Sequence, residues 1–248
     1  MLMHATIDLA IPPPELMTRV SGSSDAESFV KSGARSVEEW GLALSVARKK
    51  IQDFDIIMDF GAGCGRAVRH VKPMLRENQR LIAADIDGEA IGWIASNIPG
   101  VEAITLNDRP PSPVADVSVD LVLNHSVFTH LPEELQTLWL DDLRRILKPG
   151  GLILATFHGR KTTESFRSRI KEAGFPDQAE DFARTYERDG FIYRAGRPEY
   201  ESKLPEYYAS AFHTIGYVER VWFPGFDCLA WLPEFALGYQ DVVILRRH

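Results

Sequence analysis

Apolar residues along this chain fall into short unbroken runs separated by stretches with helical spacing. Ile56-Ile57-Met58-Asp59-Phe60 is a run of the kind buried on both faces of a sheet, and Gly61-Ala62-Gly63-Cys64-Gly65 follows it as a tight turn that opens a helix near Cys64. Ala67, Val68, Val71 and Leu75 mark the buried face of that helix. Leu81 to Asp85 is a second strand, and Asp87 caps a helix running to about Asn97. Val101 to Leu106 and Val117 to Asn124 read as strands three and four. Leu135, Leu138, Trp139, Leu143, Ile146 and Leu147 then trace a helix from Pro132 to the stop at Lys148-Pro149-Gly150-Gly151. Leu152 to Phe157 is strand five. Strand and helix alternate throughout, which forces an α/β fold, a mostly parallel sheet with helices on both faces.

The flanks differ from this core. Met1 to Arg35 reads as an arm with short helical pieces. Ser36-Val37-Glu38-Glu39 has the form of a capping box, so a helix is expected from Val37 to Ile51. Beyond His158 the stretch Gly159 to Lys203 is too long for a plain connection. It carries a polar helix near Thr162 to Ala173, a charged loop and a short strand at Phe191 to Arg194, and its length predicts a lid. Pro205 to Ile215 reads as a helix, and Tyr217 to Phe223 and Gln240 to Arg246 read as strands. The expected organisation is a single domain: an arm and helix over 1–50, a ligand-binding core over 51–158, the lid over 159–203 and the closing strands over 204–248.

With 248 residues, 45% of them hydrophobic, the chain can bury one full core. Its net charge of −7 provides no general field for a polyanion, so nucleic acid is not an expected partner. The two cysteines, Cys64 in the glycine turn and Cys228 in an expected late loop, lack metal-ligand spacing, which argues against zinc or a disulfide framework. No run is long enough to span a bilayer and no export pattern opens the chain. The expectation is a cytoplasmic protein with no membrane partner and no metal; the oligomeric state is left open.

The chemistry centres on the glycine turn. Glycine permits close approach of a ligand to backbone, and a first helical turn offers free N–H groups. A dinucleotide fingerprint would place its third glycine at 66, where Arg66 stands, so a nicotinamide cofactor is disfavoured. Asp85, 20 residues beyond Gly65, either accepts ribose hydroxyls at the tip of strand two or merely caps a turn.

Glycines at 61, 63 and 65 after Asp59, with Asp85, Asn107-Asp108, Asp120-Leu121-Val122 and Leu147-Lys148-Pro149-Gly150-Gly151 in order, resemble the motifs of class I S-adenosylmethionine-dependent methyltransferases across residues 51–158. Ser126 to Leu131, Trp139-Leu140, Thr156 to Gly159 and Gln240 to Val243 are similar to a bacterial small-molecule subgroup met near sugar and natural-product pathways. The resemblance implies a Rossmann-like, doubly wound, seven-stranded sheet with an antiparallel last strand. It also implies S-adenosylmethionine as cofactor, with S-adenosylhomocysteine as product. Asp59, Phe60, Gly61, Ala62 and Gly63 would surround the methionine part, with Asp59 near its amino group. Asp85 would hold the ribose, Ile86 would pack on adenine, and Asn107 or Asp108 would meet the adenine amino group. Asn124 and His125 would face the sulfonium and the acceptor. Ala62 replaces a cysteine common in relatives, and His125 matches no fixed histidine of the family.

Methyl transfer demands positioning, plus a base where the acceptor must lose a proton. His125, His130 and His158 are expected at strand ends on the cofactor side and are the candidate bases; each has a plain positioning role as its alternative. Trp40, Tyr193, Tyr207, Tyr208 and Trp222 either wall an acceptor pocket or belong to the core. Arg66 and Arg69 are candidates to meet an acid on the substrate. The expected reaction is methylation of a small molecule, foremost a hydroxyl of a sugar or natural product. N-methylation of a small amine, or S-adenosylmethionine binding without catalysis, are the alternatives.

Overall fold

A computed structural model describes residues 10–194, 205 and 207–248. The start of the expected arm and the far end of the expected lid, 195–203, lie outside the described residues. The sheet is built from β1 (Ile56–Phe60), β2 (Arg80–Asp85), β3 (Glu102–Thr105), β4 (Val119–Leu123), β5 (Leu147–Phe157), β8 (Phe226–Ala236) and β9 (Gln240–Arg247). Its seven strands run in the order β3-β2-β1-β4-β5-β9-β8. The first five are parallel, with Met58 of β1 opposite Ile82 on one side and Val122 on the other. β9 is antiparallel to both neighbours. The order reverses between β1 and β4, and in such sheets the crevice at the carboxyl ends of the two strands flanking the reversal is where ligands bind.

Apolar side chains pack on both faces. Val37, Trp40, Leu44, Val68, Val71, Ile91 and Ile94 cover one face, while Phe128, Leu135, Trp139, Leu143, Tyr217 and Trp222 cover the other. Apart from Phe128, which lies in a 3-10 turn over Phe128–His130, these come from α2 (Ala26–Val46), α3 (Val68–Val71), α4 (Gly88–Asn97), α5 (Glu133–Ile146) and α8 (Ile215–Trp222). Asp87 caps α4 by accepting from the amides of Glu89 and Ala90. A separate two-stranded sheet pairs β6 (Phe191–Arg194) with β7 (Ser210–His213). With α6 (Arg160–Glu172) and α7 (Pro176–Asp189) it forms the cap that follows β5.

Several local expectations are corrected. The arm contains a defined helix, α1 (Pro14–Ser21), and α2 begins at Ala26 under an Asp25 cap, so Ser36 lies inside a helix and donates to the Ser32 carbonyl. No helix starts at Cys64: Gly61, Gly63 and Gly65 all hold positive φ, and helical backbone begins only at Val68. Pro149 and Gly150 do not separate α5 from β5; the strand starts directly after Ile146 and absorbs them near a register shift. The charged stretch after α6 is a second helix, α7, whose buried Ala179, Phe182 and Tyr186 recur at helical spacing. Residues 210–213 form a strand and 215–222 a helix, the reverse of the expectation. The Thr214 hydroxyl caps that helix by accepting from the Tyr217 amide, and Tyr217, Val218 and Trp222 supply its buried face. Cys228 lies in β8, not in a loop.

Candidate functional site

β1 delivers Asp59 and Phe60 to the sheet's reversal point, and the chain must then turn sharply. Gly61 holds φ +85° and Gly63 φ +52°, conformations that a Cβ disfavours. Space forbids one as well: a Cβ on Gly61 would lie 2.1 Å from Val127 Cγ2, and one on Gly63 2.4 Å from Val20 Cγ2. The turn is strapped to β2. The Gly61 and Ala62 amides donate to the Ala84 carbonyl at 2.8 and 3.1 Å, and the Gly63 amide donates to Asp85 Oδ2 at 2.7 Å. Asp85 Oδ1 accepts from the Asp87 amide at 2.9 Å.

A cavity of about 1110 Å³, counted to its open mouth, sits at the carboxyl ends of β1, β2 and β4. Of the expected site residues, Asp59, Phe60, Gly61, Ala62, Gly63, Asp85, Ile86, His125 and His130 line it. Asn107 and Asp108 are exposed beyond the end of β3 and outside its wall, where the Asp108 carbonyl accepts from the Tyr207 hydroxyl at 3.2 Å. Asn124 is fully buried and spends its amide on the Phe60 carbonyl at 2.9 Å, tying β4 to β1. His158 also lies outside the wall. Among the aromatic candidates Trp40, Tyr207 and Tyr208 line the cavity, whereas Trp222 is core.

Burial sets the electrostatics. It raises the Asp59 carboxyl to about 7, opposed by the nearby Arg66 guanidinium and reinforced by Asp85. It also raises Asp85, against the hydrogen bonds from the Asp87 and Gly63 amides. His130 is pushed down to about 4 by burial and His158 to about 3 by burial and by His130. His125 is held well below its usual value by burial and by the charge of Arg66. All three imidazoles are therefore neutral near pH 7. The carbonyls of Ala209, just before β7, and of Ala211, within it, accept from Nδ1 of His130 and of His158 at 2.8 and 3.1 Å. Each ring thus carries its proton on Nδ1, leaving Nε2 as an acceptor. Tyr208 stacks on His130 with centroids 4.2 Å apart, and His158 meets it edge-on at 6.2 Å.

Residues absent from the sequence-based expectation complete the wall. Arg19 and Val20 of α1 reach over the turn. Arg19 pairs with Asp87 at 2.7 Å and Glu89 at 2.6 Å. Asp87 is therefore both a helix cap and an anchor for the arm. Ser126, with φ +65°, is a non-glycine residue in left-handed backbone held by the Thr156, Thr129 and Gln240 side chains. Gln136, wholly buried, donates to the Phe128 and Leu131 carbonyls and accepts from His213 and Trp222, fixing the segment that bears His130. His213 is thus a core residue. No local motif announces these roles, because each residue also has partners distant in sequence: Arg19 in Asp87, Ser126 in Thr156 and Gln240, Gln136 in His213 and Trp222.

The residues present fit an adenosylated amino acid. The wall is largely apolar, with one acid at the end of β1 and another at the end of β2. Asp85 retains unused lone pairs after its two amide bonds, and Gly61 and Gly63 have no room for side chains.

Residues 58–153 match the family model described as a methyltransferase domain. A tRNA N(3)-cytidine methyltransferase of Gallus gallus is 31% identical over 116 residues, 42% of this chain and 30% of that protein. A probable S-adenosylmethionine-dependent methyltransferase of Mycobacterium tuberculosis is 27% identical over 141 residues, 50% of this chain and 49% of its own length. The chain thus spans about half or less of these curated relatives. Among solved structures, a Burkholderia thailandensis 1,6-didemethyltoxoflavin-N1-methyltransferase with bound 1,6-didemethyltoxoflavin and S-adenosylhomocysteine superposes with a TM-score of 0.53 and 12% identity, covering 100% of this chain and 98% of that one. A SAM-dependent methyltransferase from Aquifex aeolicus gives 0.53 at 14% identity, covering 95% and 98%. At such identities the likeness is one of fold. Residues 58–153, the stretch that matches the methyltransferase-domain model, lie in a doubly wound sheet of the kind these structures share.

Proposed function

We propose that the protein uses S-adenosylmethionine to methylate a small-molecule acceptor, foremost a hydroxyl of a sugar or natural product. The observation that carries this reading is the cavity at the sheet's reversal point, which places the acids at the ends of β1 and β2, the glycine turn and the neutral imidazole of His130 around one space. When bound, the cofactor supplies a methyl group already activated on a sulfonium. The chain's task is to place and deprotonate the acceptor. Tyr207, Tyr208, Leu131 and Val127 form the wall beside His130, where an acceptor is sheltered from water. His130 Nε2 takes the hydroxyl proton as the new C–O bond forms. His125 and His158 remain the other candidate bases; His130 leads because it lines the cavity with Nδ1 already committed as a donor.

The relative from Gallus gallus acts, by its name, on tRNA, and a nucleic-acid acceptor is the competing reading. The net charge of −7 favours the small molecule. Calorimetry with S-adenosylhomocysteine, then a screen of small metabolites and RNA for a gain of one methyl group, separates the two. General-base assistance contributes ~10²- to 10⁴-fold. His130→Gln should therefore lower transfer to a hydroxyl by at least about a hundredfold with cofactor affinity retained. A variant with native turnover would move the base to His125 or His158, or show that none is needed.

A further inference from the structure

His125 and His130 both line the cavity, and they meet it differently. His130 Nδ1 donates to the Ala209 carbonyl at 2.8 Å, so its Nε2 presents a bare lone pair. His125 has no such bond. Among the described residues its Nδ1 is buried without a hydrogen-bond partner, while its Nε2, which also makes no hydrogen bond, is not enclosed. Nε2 is thus the nitrogen that opens on the cavity. Burial and the charge of Arg66 keep this ring neutral, so it carries a single proton. On Nδ1 that proton would belong to a buried N–H with no acceptor, the costlier orphan; on Nε2 it points into a space where an acceptor can be supplied. His125 therefore shows the cavity an N–H where His130 shows a lone pair. Ser126, held at φ +65° by the Thr156, Thr129 and Gln240 side chains, fixes the chain between the two rings.

We propose that the two rings read a vicinal pair of oxygens on the acceptor, His130 taking the proton of the reacting hydroxyl and His125 donating a hydrogen bond to the oxygen beside it. This rests on the reading of the protein as one that methylates a hydroxyl from S-adenosylmethionine. In that step the reacting oxygen bonds the methyl carbon, the carbon–sulfur electron pair leaves with sulfur, and the hydroxyl proton goes to His130 Nε2. An N–H given to the reacting oxygen would hold back the electrons the new bond needs, so the neighbouring oxygen is where His125 helps. His125 is then a residue that selects and places the acceptor, not its base. A saturated diol of the kind found in sugars and an aromatic one such as catechol offer the same pair of oxygens.

Nitrogen-15 NMR of the imidazoles in ligand-free wild-type protein, with signals assigned from His125→Gln and His130→Gln, tests the donor and acceptor directly. The proton should sit on Nε2 of His125 and on Nδ1 of His130; a proton on Nδ1 of His125 overturns the proposal. Formation of S-adenosylhomocysteine is then followed with two matched pairs of probes, catechol against phenol and cis-1,2-cyclohexanediol against cyclohexanol, which separate an aromatic acceptor from a saturated one. In at least one pair kcat/KM should favour the diol by at least about fivefold, more than the roughly twofold that a second equivalent hydroxyl gives by itself. His125→Gln keeps an N–H and should keep that preference, whereas His125→Met should reduce it to about twofold. A preference that survives in His125→Met, or one that is absent from the wild type in both pairs, overturns the proposal, the second without requiring any variant to fold. Methylation of neither diol by protein that binds S-adenosylhomocysteine in calorimetry overturns the acceptor assignment alone. Failure to bind S-adenosylhomocysteine removes the methyl-transfer reading with it.

Discussion

Asp59 carries the clearest pH signature at the scale of single residues. Burial raises its carboxyl from 3.8 to about 7, so between those values the folded chain holds a proton that the unfolded chain has released. The stability this supplies is complete below about pH 4 and is lost as pH rises through about 7. Asp59→Asn removes the dependence, so urea unfolding without ligand should find the variant gaining on the wild type from pH 4.5 to pH 8, by an amount on the order of 3 kcal/mol. Parallel pH profiles for the two proteins would mean that Asp59 is not the titrating group. Asp85 has a double duty. Its carboxylate holds the turn through the Gly63 amide and orients the Asp87 amide, so Asp85→Ala should cost about 2 kcal/mol of stability as well as at least about tenfold in cofactor affinity. Melting curves and calorimetry on the same samples check both; unchanged affinity in a folded variant would remove Asp85 from the site. The acids and glycines of this centre are legible in the sequence because their spacing follows from one strand, one turn and the next strand. Arg19, Ser126 and Gln136 are not legible, since each also bonds a group brought near only by the finished fold: Asp87, Gln240, and His213 with Trp222.

At the scale of elements, α1 is the piece that local rules describe least. It has eight residues, too few to hold itself as a helix in water, and depends on Leu16 and Met17 packing against Phe29, Cys64 and Ala90. Arg19, with 8% of its side chain exposed, fastens it to Asp87 at the start of α4. That contact puts Val20 over Gly63, so the described part of the arm covers the glycine turn. Arg19→Ala leaves the largely buried Asp87 carboxylate without its cation and frees the helix. Hydrogen exchange should then show amides of residues 17–22 losing protection while those of β1, β2 and β4 keep theirs. Equal protection in variant and wild type would show that apolar packing alone seats α1. Elements with strong periodicity were readable, β2 and α4 almost to the residue. The short ones were not: β7 has four residues and exists through pairing with β6, so nothing local marks it as a strand. The run from Pro205 suits a helix by local rules, and only tertiary pairing makes 210–213 a strand and leaves Thr214 to cap the helix after it.

At the scale of the whole molecule, the cap and the cavity meet through β7. Phe166, Ile170, Phe182, Tyr186, Ile192 and Phe212 form the cap's own apolar cluster, and no described residue between 159 and 194 lines the cavity. What reaches the site is the returning segment, where Tyr207 and Tyr208 stand in the wall and the Ala209 and Ala211 carbonyls hold His130 and His158. The cap therefore touches the cavity indirectly, by seating the strand that holds the two imidazoles, while the wall around the glycine turn is built from β1, β2 and the arm. Phe212 is the joint, since its ring packs on Phe166 and Phe182 of the cap and on His158 at the end of β5. Phe212→Ala removes a side chain only 1% exposed and should cost roughly 3–5 kcal/mol. Measured below its melting temperature, the variant should keep cofactor affinity within about threefold, ~0.65 kcal/mol, while transfer falls at least about tenfold. Calorimetry and initial rates on one preparation read both quantities. Near-native transfer would make the cap peripheral to the reaction, and a parallel loss of cofactor affinity in the folded variant would place β7 over the nucleoside instead.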